Sequence, residues 1–166
     1  MAKIYKIVFI TILYIFLFTN INCNKENEFG EQPEEINNNN PTCTIELEIT
    51  GFINTDGVVA LAVFNNNDSF ENENGAYIDS SLTITNSSMT IILNNINPGT
   101  YAISIFHDED ENENITFGGF LNLIPQEGFG FSNNPIISMS QPSYNECKFN
   151  IEEGQLLLVP ITLNYL

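Results

Sequence analysis

Side chains able to do chemistry are densest in Phe106-His107-Asp108-Glu109-Asp110-Glu111-Asn112-Glu113-Asn114. Asp108, Asp110 and Asn112 alternate there, as the first, third and fifth ligands of a calcium loop do. That spacing turns oxygen atoms toward one point, and a hard cation takes six to eight of them. Asp108, Asp110, Asn112 and a backbone carbonyl near Asn114 therefore form a candidate ligand set for Ca2+. The pattern is incomplete. Glu113 stands at position six, where the sharp turn wants glycine, and neither position nine nor position twelve carries a carboxylate. Without a metal, the same residues are a solvated acidic hairpin tip.

His107 is the single histidine. No Ser or Cys motif accompanies it, so a nucleophilic triad has no support. A hydrolase-type site would pair it with Asp108 or with Glu127, whose carboxylate is a candidate acceptor for the ring. The alternative is a hydrogen-bonded structural histidine at a strand end. Phe120, Phe129 and Phe131 are candidate walls of a ligand groove, or else core filling. Of the three cysteines, Cys43 and Cys147 are a candidate disulfide in an oxidising compartment. The other readings are small buried residues or free thiols, and no spacing suits zinc.

These residues must be positioned by strands. Thr44-Ile45-Glu46-Leu47-Glu48-Ile49-Thr50 alternates polar and apolar, which predicts a strand with one wet face. Val58 to Phe64 reads as a buried strand, followed by a break at Asn65-Asn66-Asn67-Asp68. Further strands are expected at Leu82–Thr85, Met89–Leu93, Tyr101–Phe106, Cys147–Ile151 and Leu156–Leu163. Pro160 marks the last of these as an edge or a bulge. No segment shows a 3.6-residue stripe of helical length. About seven short strands with Gly, Pro and Asn turns predict an all-β fold, a single antiparallel sandwich over residues 43–166.

Ahead of the sandwich lies a different kind of chain. Met1 to Lys6 is a short basic start, and Ile7 to Phe18 is a nearly unbroken apolar run of signal-peptide length. Residues 1–22 are expected to be a signal peptide. Cys23 follows in Thr19-Asn20-Ile21-Asn22-Cys23, which resembles the lipobox of bacterial lipoproteins, although Asn22 and Asn20 stand where small and aliphatic residues are usual. Plain secretion and an uncleaved anchor are the alternatives. Residues 23–42 are expected to be the lipidated Cys and a flexible acidic, Asn-rich tether with too few apolar side chains for a core. The expected location is periplasmic or outer-surface, on a membrane through the lipid anchor.

Charge narrows the partners. The chain has 4 basic residues against 21 acidic ones, for a net charge of −17. With Lys3 and Lys6 removed, the remainder carries 2 Lys against 21 acids, a net of −19. Such a body cannot release counterions from phosphates, so nucleic acid is not an expected partner. Anionic headgroups would repel it too.

Three motifs in order resemble one bacterial family. They are Pro98-Gly99-Thr100-Tyr101-Ala102, then His107-Asp108-Glu109-Asp110-Glu111-Asn112, then Pro125-Gln126-Glu127-Gly128-Phe129-Gly130-Phe131-Ser132. This looks like domain of unknown function 2141, over about Cys43 to Leu166. The resemblance implies export and a prealbumin-like or immunoglobulin-like sandwich, and it brings no activity. The chain departs from the family pattern at Glu113, where relatives have Gly, and at Thr116, where they have Asp.

The function read from the sequence is a non-catalytic envelope domain for binding or scaffolding, with an unidentified protein or small-molecule ligand and a cation as a candidate stabiliser. The alternatives are a small-ligand or sugar carrier, and a hydrolase using His107. For the anchor, the expected outcome is partition into detergent with a mature chain beginning at acylated Cys23, and release by Cys23→Ala. Mass spectrometry of the native N-terminus checks this, and any other first residue sinks it.

Overall fold

A computed structural model describes residues 42–119, 121, 123–137 and 140–166. The expected signal peptide, Cys23 and the tether up to Pro41 lie outside the described residues, as does Phe120.

The alternation that begins at Cys43 has a direct structural result. In β1 (Cys43–Thr50) the side chains of Cys43, Ile45, Leu47 and Ile49 are all buried, while Glu48 and Thr50 face solvent. A one-residue slip would exchange the two sets, so the register is strongly determined. β1 lies between β4 (Ser88–Ile96), antiparallel to it, and β10 (Leu156–Thr162), parallel to it. The sandwich is thus antiparallel except where its first and last long strands run side by side. Near Cys43 the β1–β4 register shifts, and Asn95 takes φ 60°, which returns Ile96 to the buried face.

The second sheet runs β3 (Ile78–Thr83), β2 (Val58–Phe64), β5 (Gly99–Asp108), β8 (Phe129–Phe131). β5 is long enough to take two partners on one side. Its start pairs β9 (Phe149–Ile151), and its second half pairs β8. A small hairpin, β6 (Phe117–Gly118) with β7 (Ile124–Pro125), stands apart from both sheets. Val59, Leu61, Val63, Tyr101, Ile103 and Ile105 point inward and meet the β1 set in the main core. The first strand does not pair with the second, as it does in the immunoglobulin arrangement.

Two single-turn helices pack on part of the opposite face of the second sheet. α1 (Asn67–Glu71) begins where the Asn65–Asp68 break was expected, and the Asn66 side chain accepts from the Ser69 N–H at 2.9 Å. α2 (Tyr144–Cys147) and β9 together replace the strand expected over Cys147–Ile151. In α2 the Glu146 carboxylate accepts from the N–H and the hydroxyl of Ser143, at 2.8 and 2.7 Å, which lowers its pKa. Phe70 and Tyr144 join Phe64, Phe131 and Cys147 in a second apolar cluster, and the Glu71 carboxylate takes the Tyr144 N–H. Ser132 is fully buried, accepting from the Ile103 N–H at 2.9 Å and donating to the Cys147 carbonyl at 2.6 Å.

The edge position expected from Pro160 is found, since β10 pairs with β1 alone among the strands. Its outer side is nonetheless occupied in part. The Asn134 side chain donates to the Pro160 carbonyl at 3.0 Å and accepts from the Thr162 N–H at 2.8 Å. Beyond it, Asn164 and Phe129 exchange two backbone hydrogen bonds that join the sheets at this corner.

The candidate disulfide is corrected. Cys43 and Cys147 are free thiols that pack in different clusters, one between the sheets and one under α2. The Cys43 thiol donates to the Glu152 carbonyl at 2.9 Å. Burial, helped by the nearby Glu146 and Glu71 carboxylates, pushes the Cys147 thiol up to about 12. Cys147 therefore stays protonated and inert at neutral pH. In protein from its native compartment, an alkylating reagent without reductant should label neither residue while the domain is folded. It should label both in urea, and peptide mass spectrometry that still finds both unlabelled there refutes this packing.

Candidate functional site

β5 ends in His107 and Asp108, and successive strand residues point to opposite faces. The ring of His107 enters the space between the sheets and is fully buried. Its Nε2 lies 2.7 Å from the Asp56 carbonyl, and its Nδ1 lies 2.7 Å from the Tyr165 hydroxyl. A carbonyl only accepts, so in the neutral ring Nε2 carries the proton and Nδ1 accepts from Tyr165. Phe52 meets the ring edge-on at 5.5 Å between centroids. Burial raises the Tyr165 pKa, with a backbone hydrogen bond from Ile53 opposing that rise and the Glu109 charge adding to it. The phenol therefore keeps its proton for the histidine at neutral pH. Gly57 leaves room for this corner. It takes φ 64°, and a Cβ there would strike the Asp108 carbonyl.

The dyads considered from the sequence are not formed. Asp108 lies on the other face of the strand, and Glu127 spends both oxygens elsewhere. Among the described residues the only carboxylate paired with the ring is that of Glu109, at 3.7 Å from Nδ1. Both ring nitrogens are engaged without it.

Asp108 and Glu127 are 2% and 4% exposed, so each must find donors. Asp108 Oδ1 accepts from the Asn112 N–H at 3.0 Å, and its Oδ2 from the Glu113 N–H at 2.9 Å. Glu127 Oε1 accepts from the Glu109 N–H at 3.0 Å, and its Oε2 from the Thr116 N–H at 2.8 Å. The loop is thus wrapped around two carboxylates. Glu113 takes φ 64° and Glu111 φ 56°, so the turn expected to want glycine at position six does adopt the left-handed conformation, with a side chain present.

Carboxylate oxygens of Asp108, Asp110 and Glu127 all lie within 4.8 Å of one another. Two of the expected ligands, Asp108 and Asp110, are therefore brought together, and Glu127 joins them. Asn112 is turned to local use: its Oδ1 accepts from the Asn114 N–H at 2.8 Å, and its Nδ2 donates to the Thr116 hydroxyl at 2.9 Å. The Asn114 side chain donates to the Asn112 carbonyl. The Thr116 hydroxyl donates to Asp110 at 3.4 Å. The calcium-loop spacing could not reveal Glu127, because that residue arrives from the far side of the β6–β7 hairpin. Its position in the Pro-x-Glu-Gly motif was the available signal.

A family model described as "Uncharacterized protein conserved in bacteria (DUF2141)" matches residues 47–157. The chain belongs to this family. No curated protein and no solved structure was found to match. The three motifs singled out in the sequence now have positions in this chain. Tyr101 closes its own turn through a hydroxyl bond of 2.9 Å to the Asn97 carbonyl. His107 and Asp108 finish β5. Glu127 and Ser132 fasten the segment that carries β8.

Replacing Glu127 with Ala leaves the N–H groups of Glu109 and Thr116 without an acceptor. Loss of this buried acceptor puts the cost at about 1–3 kcal/mol. Urea unfolding should show that loss, and hydrogen exchange should show faster exchange at both amides. An unchanged midpoint with both amides still protected overturns the role assigned to this carboxylate.

Proposed function

We propose that this protein is an exported component of the bacterial envelope, acylated at Cys23, whose sandwich is a non-catalytic binding or scaffolding domain with a divalent cation, of the calcium class, on its β5–β6 loop. The leader and the acidic tether support the location. For the cation, the supporting observation is the convergence of Asp108, Asp110 and Glu127, two of them buried, with Lys148 the only basic side chain other than His107 among the described residues. Two unit charges at that separation repel by roughly 3 kcal/mol at an effective dielectric of about 20. Four backbone N–H groups offset part of this, and a cation would reverse its sign.

A non-catalytic reading is favoured by the histidine, which is fully buried and whose basic nitrogen, Nδ1, is taken by the Tyr165 hydroxyl. The strained turn at Glu113 places the expected affinity toward the weak, millimolar end of extracellular calcium modules. At a calcium concentration tenfold above the dissociation constant, linkage adds about 1.4 kcal/mol. Thermal melts should therefore rise by a few degrees over chelator, and Asp108→Asn with Asp110→Asn should abolish the rise. Glu113→Gly, which relieves the left-handed turn, should tighten binding. Sodium chloride at matched ionic strength is the control for screening. An equal response to salt, or a response retained by the double variant, defeats the proposal.

A further inference from the structure

The outer face of the second sheet carries a groove of about 750 Å³, within the range of small-molecule sites. Its floor is unusual for the middle of a sheet. β2 and β5 are interior strands, yet they present Ala60, Ala62 and Ser104, with Ala62 directly opposite Ser104. Short side chains here leave a trough over the backbone. Phe106, Phe129 and Phe131 form one wall, and Phe117, 51% exposed, stands on the β6–β7 hairpin. At the rim are the exposed carboxylates of Glu73, Asp79 and Glu113, none of which accepts a hydrogen bond from another described residue. Among the described residues no basic side chain lines the groove, and Lys148 is held by Asn145 at 2.7 Å.

A floor of small alanine and serine side chains, aromatic walls and an acidic rim select ligands by charge. Anionic ligands meet three carboxylates and no cation. A neutral polyol finds acceptors but gains nothing from the charges. We propose that this groove binds an organic cation, an amine or quaternary ammonium on an apolar body. The apolar part lies over Ala60 and Ala62, and the charged head sits between the ring of Phe106 or Phe117 and the rim carboxylates. Ring faces and carboxylates attract such a head together. The inference rests on the binding-domain reading above and shares with the cation loop only Glu113.

The test uses 4-phenylbutylamine, with 4-phenylbutanol and 4-phenylbutyrate as neutral and anionic matches, in millimolar calcium. Amide resonances of Ala60, Ala62 and Ser104 should shift saturably with the amine and not with the butyrate. Affinity should fall several-fold from low to high salt. Ala62→Arg puts a guanidinium on the floor from an outward-facing position and should abolish the shifts. The combined variant Glu73→Gln, Asp79→Asn, Glu113→Gln, which leaves the floor intact, should weaken binding about tenfold or more. Equal binding of the alcohol and the amine overturns the proposal in favour of a neutral ligand such as a glycan segment. Shifts that spread without saturation over the acidic surface, or no shift at the floor, also overturn it. A calcium-dependent melt beside a silent groove refutes this inference alone; amine binding without a calcium response refutes only the loop cation.

Discussion

A side chain continues a β-ladder at the point where its strand runs out. β8 pairs β5 at Ser104–Phe131 and Phe106–Phe129, and the Gly128 carbonyl then accepts from the His107 N–H at 2.7 Å. The next donor on that edge, the Glu109 N–H, has no main-chain acceptor and takes the Glu127 carboxylate instead. The second oxygen of Glu127 reaches across to the Thr116 N–H and draws the far end of the acidic loop against the sheet. Much follows from this one group. It sets where β8 stops, holds the loop over Asp108, and adds the third carboxylate to the cluster. A buried acceptor with two good donors is worth more than an exposed pair, because its loss strands both partners.

The same corner gives the one histidine a place in the framework of the fold. Strand alternation puts His107 and Asp108 on opposite faces, so adjacency in sequence becomes separation in space. His107 fills the end of the main core and links the Asp56 turn to the C-terminal Tyr165. Asp108 organises the loop outside. Two polar residues side by side in sequence thus hold two different elements.

Legibility in the sequence followed the strength of alternation. Thr44–Thr50 and Val58–Phe64 read correctly almost to the residue, because one face of each is fully apolar. β3 was expected at Leu82–Thr85 and lies at Ile78–Thr83, since Asp79, Ser80 and Ser81 hide its period behind polar side chains. α1 and α2 are too short to show a helical stripe, and α2 sits where Cys147 looked like the start of a strand. The acidic loop was visible as a candidate because its spacing is local. Glu127 was a candidate only as a partner for His107; its place among the loop carboxylates, and the choice between paired and free cysteines, depend on which elements meet across the fold.

Asn134 has a consequence beyond its two hydrogen bonds. Its amide occupies the acceptor and donor that a foreign strand would use at Pro160 and Thr162, and the bridge from Asn164 to Phe129 takes the next pair. What stays open on that side of β10 is the short stretch from Leu156 to Val159. A template of that length is too brief to nucleate a cross-β stack. Where molecules are crowded on a surface, this edge resists copolymerising with its neighbours.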